Sequence, residues 1–266
     1  MNGPNLVAVN VGNSRTQVGR FVQGELAQSN RLSNRRLPAI VQRVLSSWRA
    51  LSELSQPAII LASVNDHVAN RLAAMWEDQL SVETYRVGEE MPVPIGQQLD
   101  PETITGIDRL LNAAAAFDQI HRACVVIDAG TAVTVDFVDG EGTFHGGAIA
   151  PGASIQLRAL HEHTGGLPEI PFRAPDKGAF GRSTSQAMLH GVFHGIRGMA
   201  QRLVERYAEH YGAFPQVVAT GGDASILFAN ESLVDNIVPD LTLLGIATAA
   251  KHSLARGGVD GPDVRT

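Results

Sequence analysis

Cysteine is almost missing from this 266-residue chain: Cys124 stands alone, inside the apolar run CVVI. An internal disulfide is therefore excluded, and a lone thiol in such a run reads as a small buried hydrophobe, not a nucleophile. Long apolar stretches are missing too, and none approaches the roughly 20 residues that a membrane-spanning helix needs. An excess of basic charge is also absent: 21 Lys and Arg stand against 27 Asp and Glu, a formal net charge of −6. That balance speaks against nucleic-acid binding, which rests on cations meeting phosphates; the pair Arg35-Arg36 is too short to reverse it. The opening MNGPNLVAVNVGN has no basic region followed by an apolar core and a small-residue cleavage site, so a cytoplasmic protein is expected. His190 and His194 lie one helical turn apart, and His161 and His163 flank Glu162. No third ligand follows at a recognisable spacing, so these histidines, like His145, are read as structural or surface residues instead of a zinc site.

What is present has a globular balance, 44% hydrophobic and 18% charged, in a length that suits two modest domains. Residues 6–11 (LVAVNV) read as a strand, Gly12-Asn13-Ser14 as a turn, and the stretch through Val18 and Phe21 as a second strand. Apolar residues at three- and four-residue intervals predict an amphipathic helix over 37–54, after Pro38. AIILASV (58–64) has the length of a buried strand, and Asn65-Asp66 opens a further helix to about Leu80. The segment MPVPIGQQLDP (91–101) is a loop leading to Gly106-Ile107-Asp108-Arg109, which opens the strongly helical LLNAAAAF. A helix N-terminus there favours anions.

At Val125 the opening pattern returns as VVID, Ala129-Gly130-Thr131 and AVTVDFV, with Asn10 to Ser14 matching Asp128 to Ala132. Two strand-turn-strand units half a chain apart predict a duplicated α/β domain, 1–117 and 118–266, with a central cleft between the copies. The second half continues with GGAIAPG, helices at about 153–161 and 183–208, the strand VVAT, the turn Gly221-Gly222-Asp223, and a last helix from PDLTLLG.

Phosphate groups require close backbone N–H donors, hydroxyls and small residues. The first turn offers Gly12, Asn13, Ser14 and Thr16; the second offers Asp128, Gly130, Thr131 and Thr134. Neither turn is a Walker loop, and no Rossmann fingerprint follows the first strand. A single Gly-Asn-Ser is often only a hairpin turn; the repetition is what gives it weight. Asp108 is read as either a first-turn helix aspartate or a catalytic base, and Gly221-Gly222 as either a left-handed turn or a surface for a flat ring.

The set VNVGNSRTQVGRF, GIDRLLNA, VVIDAGTAVTVDF, GGAIAPG, LPEI, GRST, VVATGGDA and PDLTLLG resembles, in order and over nearly the whole chain, the type III pantothenate kinases. The resemblance implies two duplicated actin-like (ribonuclease H-like) domains and a homodimer. It implies ATP-dependent phosphorylation of pantothenate to 4'-phosphopantothenate, the first step toward coenzyme A, with Mg²⁺ and a monovalent cation, K⁺ or NH₄⁺. It implies Asp108 as the base at the pantothenate hydroxyl, with Arg109 helping to hold substrate or transferring phosphate and Gly106 and Ile107 beside them. Asn10, Gly12, Asn13, Ser14, Gly130, Thr131 and Thr134 would bind phosphates, Asp128 would organise Mg²⁺, Gly221 and Gly222 would lie at the adenosine, and Thr184 would reach pantothenate across the dimer. The family's first motif begins with aspartate, whereas this chain has Asn10. That departure keeps open a non-catalytic or weakly active nucleotide-binding relative with a regulatory role; a kinase of another small molecule is the other alternative.

Overall fold

Strand β1 (Leu6–Val11) alternates its side chains between two covered faces, which is why its sequence is apolar almost throughout. Val7, Val9 and Val11 face one way, Leu6, Ala8 and Asn10 the other. The computed structural model describes residues 3–229 and 231–255. β1 pairs antiparallel with β2 (Arg15–Val22), which pairs antiparallel with β3 (Glu25–Ser33). On its other side β1 pairs in parallel with β4 (Ala58–Ser63), followed by the short β5 (Thr84–Arg86), so the sheet order is β3-β2-β1-β4-β5.

Helices α1 (Leu37–Arg49) and α2 (Asp66–Leu80) cover the face that carries Val7, Val9 and Val11, burying Ile40, Val44, Leu72 and Trp76 against it. Asn65 caps α2 by accepting the Val68 N–H at 3.3 Å. The opposite face packs on Leu111 of α3 (Ile107–Ile120) and on Leu243, Ile246 and Ala250 of α7 (Leu241–Ala255). A side chain on Gly245 would strike the Leu111 backbone, so glycine sets the close crossing of α7 on α3. α7 comes from the far end of the sequence. It was expected in the unit 118–266, but its apolar faces are covered by the first sheet.

Contacts accordingly divide the chain into Met1–Ile95, Glu102–Asp118 and Asp240–Thr266 as one unit, and Gly96–Pro101 and Gln119–Pro239 as the other. In the second unit β7 (Cys124–Ala129) pairs antiparallel with β8 (Ala132–Val138), and β8 with β9 (Thr143–Pro151). β10 (Gln216–Thr220) lies parallel to β7, and β11 (Asn236–Ile237) parallel to β10. With β6 (Gly96–Gln97) at the far edge, the order is β11-β10-β7-β8-β9-β6. The run β9-β8-β7-β10-β11 repeats the topology of the first sheet, which is the duplication expected from the two turn motifs.

One face of this sheet carries Val125, Ile127, Val133, Val135, Val217 and Ala219. Against it pack α4 (Ala153–Glu162), the long α5 (Thr184–Tyr211) and α6 (Ala224–Phe228). Cys124 is fully buried, and burial pushes its thiol up to about 12, which leaves it protonated and inert. At the β8–β9 hairpin, Asp139 bonds His145 Nε2 at 2.8 Å and accepts the Glu141 and Thr143 N–H groups. Among the described residues no helix is long and apolar enough to cross a membrane.

Candidate active site

In the first unit the chemistry-bearing residues gather where the parallel strands β1 and β4 end, the position at which α/β sheets present ligands. The turn after β1 is closed by the Gly12 N–H donating to the Arg15 carbonyl at 3.0 Å. Asn13 and Ser14 at its tip are exposed, while Thr16 is fully buried. The chain beyond β4 stays in register, with the Val64 N–H on the Val11 carbonyl at 3.0 Å.

The Gly106 to Arg109 motif meets the same end of the sheet. A β-carbon on Gly106 would lie 2.7 Å from Asp108 Oδ1 and 3.8 Å from Val64 Cγ1, so only glycine leaves the Asp108 carboxylate where it is. Asp108 sits in the first turn of α3, half-buried, with Oδ1 accepting the Arg109 N–H at 2.8 Å. Ile107 turns its side chain under Gly88, which holds a φ of +95°. It therefore anchors the motif by packing. Thr105, just before the motif, has its Oγ1 buried with no hydrogen-bond partner among the described residues. The sequence carried no sign of it.

Asn10 belongs to a polar row, Asn10, Gln17 and Arg31, each the direct register partner of the next, with the apolar Ala62 on the other side of Asn10. Asn10 Nδ2 donates to Gln17 Oε1 at 3.4 Å, and Asn10 Oδ1 is buried without a partner among the described residues. Gln17 Nε2 reaches Asp240 Oδ1 at 3.5 Å, and Ser29 Oγ donates to Asp240 Oδ2 at 3.0 Å. Both Gln17 bonds are long. With the amide turned over, its oxygen accepts from Arg31 Nε at 3.2 Å and Nη2 at 2.6 Å, and its N–H groups face position 10.

In the second unit three segments converge on the end of β7. Asp128 is half-buried, with Thr134 of β8 and Thr220 of β10 as its register partners. Its turn is closed by the Gly130 N–H on the Ala132 carbonyl at 2.9 Å. Gly221 holds a φ of +97°, and a β-carbon there would strike the Ala129 carbonyl and stand 2.5 Å from Asp128 Oδ1. The Asp223 N–H ties the same turn to the Ala129 carbonyl at 2.9 Å, and Gly222 stays exposed. From a third direction Gly152 donates its N–H to the Thr131 carbonyl at 3.0 Å, and a side chain on it would collide with the Gly130 carbonyl. The DAGT, GGD and APG segments thus form one small-residue surface around Asp128.

Thr184 is the first helical residue of α5 and is exposed; the capping hydroxyl is that of Ser183, which accepts the Gln186 N–H at 3.2 Å. His190 and His194 stack on the same helix at 5.6 Å, and burial, Arg197 and His190 lower the His194 pKa below its usual value of 6.5. No group of three or more His, Cys, Asp or Glu fit to hold a metal occurs among the described residues.

The model of the type III pantothenate kinase family matches residues 6–206 of the chain. A type III pantothenate kinase from Dehalococcoides mccartyi strain CBDB1 is 33% identical over 253 residues, covering 91% of this chain and 93% of its own length. Among solved structures, a Baf-family transcriptional activator from Campylobacter jejuni aligns with a TM-score of 0.62 at 19% identity, over 94% of this chain and 99% of its own. The activator of 2-hydroxyisocaproyl-CoA dehydratase from Clostridium difficile, with ADPNP bound, gives 0.53 at 13% identity, over 97% and 98%. At these identities the two structures share the fold with this chain: the actin-like, sugar-kinase-like α/β architecture.

Proposed function

Since the chain belongs to the type III pantothenate kinase family, and with it phosphorylates pantothenate from ATP on the way to coenzyme A, we propose which of its residues carry that reaction. The family match supports the kinase over a non-catalytic regulatory relative and over a kinase of another small molecule.

Phosphoryl transfer demands positioning and charge neutralisation, with a carboxylate to take the proton of the attacking hydroxyl. Asp108 is that base. The observation that carries the assignment is its setting: a half-buried carboxylate at a helix start, given room by a glycine where a β-carbon would crowd its Oδ1. Arg109 steadies substrate or the transferring phosphate by charge-assisted bonds. The turns at Gly12 to Ser14 and Gly130 to Thr131, with Thr134, take phosphate oxygens of ATP. The left-handed φ of Gly221 makes it the turn residue, and the exposed Gly222 beside it offers the flat surface to the adenosine. A cytoplasmic location suits an ATP-dependent reaction, and cell fractionation tests it.

The residues suit Mg²⁺. Asp128 is a carboxylate facing a small-residue turn, and Asn10 Oδ1 is an oxygen donor with no protein partner among the described residues, both of the hard kind that this ion takes. When bound, Mg²⁺ neutralises phosphate charge. For a monovalent cation, K⁺ or NH₄⁺, the described residues single out no donor set. A homodimer with Thr184 near pantothenate is supported by the exposed small face of α5 (Ala187, Gly191, Gly195, Gly198) and by exposed Ile149 and Phe180.

The test of the base is Asp108→Asn, assayed for pantothenate phosphorylation with ATP, Mg²⁺ and K⁺. The amide keeps the shape but cannot accept the proton, so turnover should fall about a hundredfold or more with the fold intact. Unchanged turnover would remove Asp108 from the role.

A further inference from the structure

The first turn is held by a residue that lies outside every motif. Asn34 stands where β3 ends and a single 3-10 turn (Asn34–Arg36) begins. Its Nδ2 donates to the Gly12 carbonyl at 2.8 Å and the Asn13 carbonyl at 3.3 Å. Its Oδ1 accepts the Thr16 hydroxyl at 2.8 Å, and its backbone N–H donates to the Ser14 carbonyl at 3.0 Å. The remaining carbonyl of the turn, that of Arg15, is taken by the Gly12 N–H. One side chain and its own amide therefore bind Gly12, Asn13, Ser14 and Thr16.

This clamp decides which way the peptide groups of the turn point. In a trans peptide the C=O and the N–H of the following residue are opposed. Drawing the Gly12, Asn13 and Ser14 carbonyls toward Asn34 directs the N–H groups of Asn13, Ser14 and Arg15 to the other side. Successive N–H groups aimed one way form an anion-facing concavity. We propose that Asn34 is a positioning residue for ATP: it orients the Gly12 to Arg15 peptides so that their N–H groups meet nucleotide phosphate. The proposal rests on the reading of this turn as a phosphate site.

Asn34→Ala is the variant, and two controls separate the clamp from the site it serves. Ser14→Glu puts a negative charge on the exposed tip and tests the site directly. Thr16→Val removes only the hydroxyl that fixes the Asn34 amide, and carries the test should Asn34→Ala not fold. Steady-state kinetics with each substrate varied, and ATP binding measured by calorimetry, give the readouts. Asn34→Ala should raise the KM and Kd for ATP about tenfold, the factor that corresponds to the loss of one N–H bond to phosphate of ordinary strength. The KM for pantothenate should stay unchanged; Thr16→Val should move ATP in the same direction by a smaller factor. A clamp that merely stabilised the hairpin would lower the melting temperature and leave both KM values alone, and that result overturns the proposal. Weakened ATP binding in Ser14→Glu with none in Asn34→Ala or Thr16→Val also overturns it, with the phosphate site intact. ATP binding untouched by Ser14→Glu refutes the site itself.

Discussion

Asn10→Asp restores the acid with which the family's first phosphate motif begins, and the polar row around it predicts the outcome. In the wild-type row the Asn10 and Gln17 amides face each other at 3.4 Å, a neutral contact at most, and Asn10 Oδ1 is without a partner among the described residues. A carboxylate at position 10 suits the turned Gln17 amide better. In that orientation, which the wild type already favours, Arg31 donates to the Gln17 oxygen at 3.2 Å and 2.6 Å, and the Gln17 N–H groups are left to donate to the new acid. Bonds to charged groups contribute about 1.5–3 kcal/mol against about 0.5–1.5 kcal/mol for neutral ones, a difference of about 1–1.5 kcal/mol. The carboxylate also presents a full negative charge where the amide presents a dipole, which favours a divalent cation. The Mg²⁺ concentration for half-maximal rate should therefore fall, about tenfold if about 1.4 kcal/mol of attraction for the bound ion is gained, with a faster rate at limiting Mg²⁺.

Two assays check it: coupled ADP release across a Mg²⁺ titration, and the Mg²⁺-dependent rise in melting temperature with ADP present, which needs no turnover. The Gln17→Ala background supplies the decisive control, because the relay from Arg31 ends at Gln17. A smaller gain in that background is expected. An unchanged Mg²⁺ requirement in Asn10→Asp, or a gain of the same size without Gln17, would refute this account of the row.

Gly221→Ala should destabilise the protein by at least about 1–3 kcal/mol, from the left-handed backbone and the collision with the Ala129 carbonyl; an unchanged urea midpoint would contradict that. Gly222→Ala, at the exposed neighbour, should instead leave the midpoint alone and raise the KM for ATP. Ile149, 64% exposed on β9, should lie in the dimer contact. Light scattering at micromolar concentration should give a dimer for the wild type and a monomer for Ile149→Asp, and a monomeric wild type would defeat the dimer. Burial works against ionisation of Asp139, but the His145 bond and the Thr143 and Glu141 N–H groups outweigh it and hold the carboxyl below its usual 3.8. Its stabilisation is thus present above pH 3.8 and is lost as pH falls through the folded pKa. Asp139→Asn should be less stable than wild type at pH 7, with the gap closing below pH 3.8, as read by denaturant midpoints; a gap that widens on acidification would reverse the assignment.

Much of this protein is written locally in its sequence. Apolar runs of strand length that stop at glycine mark β1 and β7, and the helical period marks α1. The return of the Asn10 to Ser14 pattern at Asp128 announces two sheets of like topology, and Asp108 at a helix start follows from what precedes and succeeds it. Each of these signals lies within a dozen or so neighbouring residues. What tertiary structure alone decided depends on register and on distant packing. β3 (ELAQSNRLS) has no clean apolar alternation because it is a half-exposed edge strand, yet its register with β2, Arg15 on Ser33, is what carries Asn34 to the first turn. The same register puts Arg31 beside Gln17 and Gln17 beside Asn10, a row that no spacing along the chain reveals. The return of α7 to the first sheet is decided by the fit of Gly245 on Leu111, across a separation that a pattern confined to neighbours does not span.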